Sequence, residues 1–177
     1  MAISTQPKGS IDGSVSFADG TGTPVTNSGT ALFTKGDGKL TNINDVLQSK
    51  TIVETRGQRV GVAYGARVYP QFTVTGIATG FTAASAPGTM ADWVLKRGPY
   101  SANVSTLGAN RPWAFDVVVT VEGTNWGDSA DHTFTLEDCI VPDGGFSWAE
   151  AEGGGNAYSL TLVCTGAITG DLAVAEL

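Results

Sequence analysis

Charge is scarce in this chain. Charged residues make up 15% of its 177 positions, against about 25% in an average soluble domain. A free monomer ordinarily keeps its surface charged. A charge-poor chain therefore either hides surface against other subunits or covers itself with serine and threonine. The charge is also unevenly spread. No lysine or arginine follows Arg111, whereas eleven of the 17 acids do. The part up to Arg111 carries ten bases against six acids, so it is net +4; the remainder is net −11. Two oppositely charged surfaces would favour head-to-tail self-association and repel polyanions from the acidic one. The alternative is that strands distant in sequence pair, and the asymmetry vanishes in space.

Residues that carry chemistry are equally few. His132 is the single histidine, which excludes a multi-histidine metal site. A Ser-His-Asp triad would have to use it, and no Gly-x-Ser-x-Gly elbow accompanies it. Two cysteines, Cys139 and Cys164, are too few for a structural zinc site. They read as free thiols on strands, with a cross-strand disulfide as the lesser reading. Gly36-Asp37-Gly38-Lys39 lacks the glycine spacing and the Ser/Thr of a phosphate loop. Glu137-Asp138 with Glu150 and Glu152 could pair as glycosidase carboxylates, but acids on strands are common. The expectation is no enzyme, no cofactor and no metal. Met1 to Pro7 has no apolar run, and segments such as Val117-Val118-Val119 are far short of a membrane span. The expectation is a soluble protein made in a cytoplasm, with no membrane anchor.

What is abundant is glycine, 24 residues, punctuating short alternating segments. That pattern indicates an all-β sandwich or barrel, read here as a single domain over 1–177. Val15 and Phe17 share a strand face before the turn Asp19 to Pro24, and Val25 to Thr34 is a weaker strand. The stretch 41–65 is the least regular. Thr51 to Thr55 and Val60 to Tyr64 could flank a turn at Arg56-Gly57-Gln58-Arg59. Its β-branched residues argue for a long loop or arm ordered on a neighbouring subunit, with Lys50, Glu54, Arg56 and Arg59 as candidate contact residues; an ordinary surface hairpin is the alternative. Arg67 to Thr79 is a strong strand, whose Pro70 end belongs at an edge or bulge.

Residues 89–97 form the one convincing helix. Thr89 can cap it with Asp92, and Met90, Trp93 and Val94 share one apolar face for packing on the core. Lys96 and Arg97 suit its C-terminal dipole, and Gly98-Pro99 stops it. Trp113 to Glu122 alternates, with Trp113, Phe115, Val117, Val119 and Val121 on one face. His132 to Glu137 alternates likewise. Pro142-Asp143-Gly144-Gly145 is turn chemistry, Phe146 to Glu150 a short strand, and Tyr158, Leu160, Leu162 and Cys164 one apolar face of a long one. Trp126, in a polar loop, reads as a lid or as an aromatic platform.

The order in the second half is a strand ending in an acidic pair, a turn, a short acid-bearing strand, a Gly-rich turn, and a strand closing with Gly166-Ala167-Ile168-Thr169-Gly170. It resembles the C-terminal half of tail tube proteins (major tail proteins) of tailed bacteriophages. Gly13-Ser14-Val15-Ser16-Phe17-Ala18-Asp19-Gly20-Thr21-Gly22-Thr23-Pro24 is similar to that family's first strand and turn, and the short helix adds to the likeness. The resemblance implies a β-sandwich or barrel-like tail tube fold and a structural virion protein. It implies homohexameric rings stacked into a hollow tube through which DNA passes without specific binding. Tape measure, tail terminator and tail tip proteins would be its partners. In such a tube the acids on outward strand positions, Asp116, Glu122 and Glu137, with Glu150 less firmly placed, would face the lumen and spare DNA a positive wall. The alternative from another class is a β-sandwich carbohydrate-binding or adhesin module using Trp126 and Trp148.

Overall fold

The computed structural model describes residues 13–21, 26–27, 38–41, 50–65, 68–77, 89–121, 123, 127, 129–149 and 157–170. Its elements are β1 (Gly13–Ala18), β2 (Thr26–Asn27), β3 (Gly38–Thr41), β4 (Lys50–Thr55), β5 (Gln58–Tyr64), β6 (Gln71–Ile77), α1 (Met90–Val94), β7 (Phe115–Val121), β8 (His132–Ile140), β9 (Phe146–Ala149), β10 (Ala157–Cys164) and β11 (Ile168–Gly170). A single turn of 3-10 helix, Gly98–Tyr100, follows α1. The fold is all-β with one short helix, and its curled antiparallel sheet forms a half-barrel.

Nine strands make that sheet, in the order β2-β1-β7-β8-β10-β6-β3, with β11 beside β8 and β9 beside β10. The sheet is forked. β8 pairs β11 through Phe134, Thr135 and Leu136, but meets β10 only at Ile140↔Val163 and Cys139↔Cys164. Above that junction β10 pairs β9 instead, through Ala157 to Leu160. The two limbs, β2-β1-β7-β8-β11 and β9-β10-β6-β3, therefore diverge from one short seam, and the core lies between them.

Period-two patterning makes the core. β10 alternates half-buried and buried along its whole length, with Tyr158, Leu160, Leu162 and Cys164 inward. Phe72 and Val74 of β6, Val15 and Phe17 of β1, Phe115 and Val117 of β7, and Leu136 and Cys139 of β8 complete it. Gly76 stands opposite Tyr158, and a Cβ there would lie 2.6 Å from the tyrosine ring. A side chain at position 76 would displace the aromatic.

α1 closes the open side. Thr89 accepts from the Asp92 N–H at 3.2 Å, and the Asp92 carboxylate accepts from the Thr89 N–H at 3.3 Å. This reciprocal capping box holds a helix too short to persist alone. Trp93, fully buried, anchors it. Its ring lies 4.9 Å from Tyr100, 5.7 Å from both Trp113 and Phe115, and 6.4 Å from Phe17. Pro99 does not end the helical path but sits in the 3-10 turn. The break comes earlier, at Lys96, whose φ of 50° is left-handed. Arg97 does not extend along the helix dipole; its Nε donates to the buried Asp92 carboxylate at 2.9 Å.

Other differences from the sequence reading have local causes. Gly38–Thr41, read as turn and loop, is an edge strand on β6. β6 is flanked on both sides, by β10 and β3. Pro70 precedes it, so no ladder donor is lost, and the Pro70 carbonyl accepts from the Cys164 N–H at 2.9 Å. In β8 strict alternation fails: Leu136 and Cys139 both point inward. A bulge explains it. Phe115 pairs Cys139 while Val117 pairs Leu136, and the surplus residue Asp138 has φ 53°. The Gly145 N–H closes the β8–β9 turn on the Pro142 carbonyl at 2.8 Å, with Gly144 at φ 74°. Pro142 is thus the first residue of that turn and Gly144 supplies its positive φ.

Candidate assembly surfaces

The hairpin β4–β5 forms a two-stranded sheet of its own. Its turn is the pair Arg56-Gly57, at φ 52° and 76°, shorter than the four-residue turn expected. Two positive φ values are what a two-residue hairpin turn matched to strand twist requires, and glycine at the second position removes half the steric cost. The register shifts between Val53↔Gly61 and Glu54↔Arg59, leaving Val60 as the extra residue of a bulge.

Apolar side chains of this hairpin are exposed. Ile52 and Val62 stand opposite each other on one face, 57% and 38% exposed; Val53, opposite Gly61, is 44% exposed, and Val60 is 66% exposed. Four of the nine exposed large apolar side chains among the described residues lie here. A lone two-stranded hairpin is marginal in water, and one bare on both faces gains nothing from its β-branched residues. Of the four contact residues expected, Glu54 near the end of β4 and Arg56 in the turn are exposed. Lys50 pairs in register with Tyr64, and Arg59 with Glu54.

The second surface is the outward face of the half-barrel. It is built from Ser14 and Ser16 of β1, Thr120 of β7, Thr133 and Thr135 of β8, Thr73 and Thr75 of β6, and Ser159 and Thr161 of β10. Cross-strand partners match: Thr120 faces Thr133, Thr75 faces Ser159, and the Thr73 and Thr161 hydroxyls lie 3.3 Å apart. Strands β1, β6, β9, β10 and β11 contain no charged residue; the sheet's charges are Lys39, Asp116, Glu137 and Asp138. The three acids meet at the β7–β8 bulge. The exposed bases Arg56, Lys96, Arg97 and Arg111 lie off the large sheet, on the hairpin turn and in the α1-to-β7 segment. Strands from the two halves of the sequence do interleave, β1 beside β7 and β6 beside β10. Even so, the three acids at the bulge share the large sheet with only one base, Lys39 of β3, among the described residues.

Of the four candidate luminal acids, Glu122 and Glu150 lie outside the described residues, as does Trp126. Asp116 is half-buried and not free: its Oδ1 accepts from the Asp138 N–H at 3.0 Å. Burial pushes its carboxyl above the ordinary carboxylate value. The Asp138 hydrogen bond opposes that rise, while the charges of Asp138 and Glu137 add to it. Glu137 is partly exposed on the outward face, and the Thr169 hydroxyl donates to its Oε1 at 3.5 Å. Met90 is buried, and Val94 packs against the core beside Trp93. Trp148 of β9 is 46% exposed. His132 starts β8 half-buried. Among the described residues no three His, Cys, Asp or Glu converge as a metal site, and no helix is long and apolar enough to cross a membrane.

Sequence reasoning names Asp138 only beside Glu137 as a possible glycosidase carboxylate and does not place it at a bulge. The signal was present: two adjacent acids interrupt the alternation between Leu136 and Cys139, where a regular strand would put Asp138 into the core.

No protein-family model matches the chain, and no curated protein does. Solved structures do. The fold matches a chain in the cryo-EM structure of an extracellular contractile injection system, PVC, described as the sheath/tube terminator in the extended state, with TM-score 0.55 and 10% identity over 94% of this chain and 98% of that one. A chain of the PVC sheath-tube complex matches with TM-score 0.51 and 10% identity, over 96% and 94%. A chain of the anti-feeding prophage tube-terminating cap matches with TM-score 0.51 and 12% identity, over 98% and 95%. The chain has a fold found in phage-tail-like assemblies, and at these identities the fold is what is shared.

Proposed function

We propose that this chain is the subunit of a tail tube, assembling into hexameric rings that stack into a hollow cylinder through which DNA passes. The observation that carries the proposal is the β4–β5 hairpin, an ordered arm with apolar side chains exposed on both faces and no strand partner beyond itself among the described residues. A neighbouring ring would cover it. Lys50, Glu54, Arg56 and Arg59 would lie in that contact. The fold shared with injection-system chains and the resemblance to tail tube proteins support the same reading. So does the open half-barrel, whose edge strands can pair around a ring and so hide their hydrogen-bonding groups. Tape measure, terminator and tail tip proteins would be its partners, and the virion tail its location. The outward Ser/Thr face with Glu137 and Asp116, joined by Glu122 and Glu150, would form a neutral-to-acidic lumen along which DNA slides without being held by counterion release.

A second reading is a ring that closes the tube rather than extends it, favoured by the likeness to a sheath/tube terminator. A third is a carbohydrate-binding module with Trp148 as platform. Electron microscopy of the concentrated protein separates them. Hollow tubes are expected, with Glu137 on the inner wall; deletion of residues 48–59 leaves a folded monomer that does not polymerise. Single unstacked rings favour the terminator, and monodisperse monomers with glycan binding favour the module. Normal tubes from the deletion variant show that the hairpin is not the assembly arm.

A further inference from the structure

Cys139 and Cys164 are the chain's two cysteines, and they face each other in register at the seam where β8 and β10 meet. Both are free thiols and both are buried, 0% and 1% exposed. The Thr165 N–H donates to the Asp138 carbonyl at 3.2 Å. That bond belongs to the neighbouring pair, so Cys139 and Cys164 form a non-hydrogen-bonded pair, the type in which Cα atoms approach to about 4.5 Å. Disulfides span Cα separations of about 4.4–6.8 Å. The Asp138 bulge ends one residue before Cys139 and turns it into the same enclosed space as Cys164. Each thiol also has a carbonyl to hold it: Leu136 O lies 3.4 Å from Cys139 Sγ, and Glu137 O lies 3.2 Å from Cys164 Sγ.

We propose that Cys139 and Cys164 are a reversible dithiol that a small peroxide closes into a disulfide, stapling the two limbs of the half-barrel at their seam. A lone buried cysteine would be an inert small hydrophobe. Two in register, with no other thiol in the chain, have one intramolecular product available. The Cys139 thiol donating to it lowers the pKa of Cys164, while the same contact, together with burial, raises that of Cys139. Either sulfur can be oxidised first, and the product is the same; with Cys164 first, its thiol ionises and attacks. Its sulfur takes one oxygen of hydrogen peroxide as the O–O bond breaks, and the departing hydroxide combines with the proton that Cys164 released on ionising, giving water. Cys139 sulfur then attacks the Cys164 sulfenic sulfur. The S–O bond breaks, and the second hydroxide leaves as water with the Cys139 proton. Two thiols and one peroxide become one disulfide and two waters; the protein loses two electrons and the peroxide gains them.

The test treats the full chain with hydrogen peroxide at neutral pH, then alkylates it in denaturant and measures its intact mass. The expected product is a monomer lighter by two hydrogens, with both alkylation sites lost, a higher urea midpoint, and both sites restored by dithiothreitol. Cys139→Ser should instead gain oxygen at Cys164 and lose no hydrogens. Two alkylatable thiols after treatment, oxygen addition mapped to Cys139 or Cys164 in the unsubstituted chain, or disulfides between chains would each overturn the proposal. The mass of the unsubstituted chain decides even if the serine variant fails to fold.

Discussion

The half-barrel core and the β4–β5 hairpin are built from the same kinds of residue in opposite circumstances. Val15, Val74 and Val117 alternate with serine, threonine and valine on strands whose inward face is covered by α1 and the opposite limb. Ile52, Val53, Val60 and Val62 sit on strands that cover only each other edge to edge. In the first region burial yields roughly 1.5–3 kcal/mol per large apolar side chain. In the second that gain is not realised within the described chain. Apolar residues at period two therefore specify a strand, while their exposure specifies whether the strand is finished. The core side chains contribute to the stability of the monomer, and the apolar side chains of the hairpin do not gain from burial among the described residues.

Three perturbations sharpen that contrast. The largest effect is expected at Trp93, which touches Phe17, Tyr100, Trp113 and Phe115 and whose carbonyl accepts from Trp113 Nε1. Trp93→Ala should cost roughly 3–5 kcal/mol in urea unfolding. A change within error would mean that α1 does not close the core.

Asp116→Asn should have a smaller effect, and one that depends on pH. The folded carboxyl titrates above its ordinary value. Its contribution to stability is therefore fully present below the ordinary carboxylate pKa and is lost as pH rises through the higher folded value. Asparagine keeps an oxygen for the Asp138 N–H without the buried charge. The variant should be as stable as the parent or more so at pH 7, and should lose part of the parent's decline in stability between acid and neutral pH. A variant much less stable at neutral pH would show that the carboxylate charge itself holds the bulge.

The smallest effect on the monomer is expected from Ile52→Thr with Val62→Thr, which keeps strand propensity on an already exposed face. Monomer stability should move by no more than about 0.5 kcal/mol, while sedimentation should show assembly lost. A large drop in monomer stability would place the hairpin in the core's company after all.

Much of the half-barrel was legible because its signals are local. Capping by Thr89 and Asp92 needs only a three-residue spacing and an extended residue before the helix. The inward faces of β7 and β10 follow from alternation along one strand, since one buried face makes register errors costly. The hairpin's existence was legible from Thr51 to Thr55 and Val60 to Tyr64, although its turn was read as too long. Turn length depends on whether Arg56 accepts a positive φ, and side-chain type alone does not say. The edge strand Gly38–Thr41 was missed because glycine and lysine are poor strand formers; pairing with β6 overrides that.

By itself, then, the sequence determined the alternating strands, the capped helix, the buried tryptophan and the concentration of acids after Arg111. Each depends on neighbours within a few positions. Tertiary structure alone decided that Asp138 is a bulge, that Asp116 is tied to it, that Cys139 meets Cys164, and that the hairpin's valines stand bare. Those outcomes depend on which strands lie side by side, and partners such as Cys139 and Cys164, or Phe17 and Val117, are chosen by the packing of the whole sheet rather than by any stretch of it.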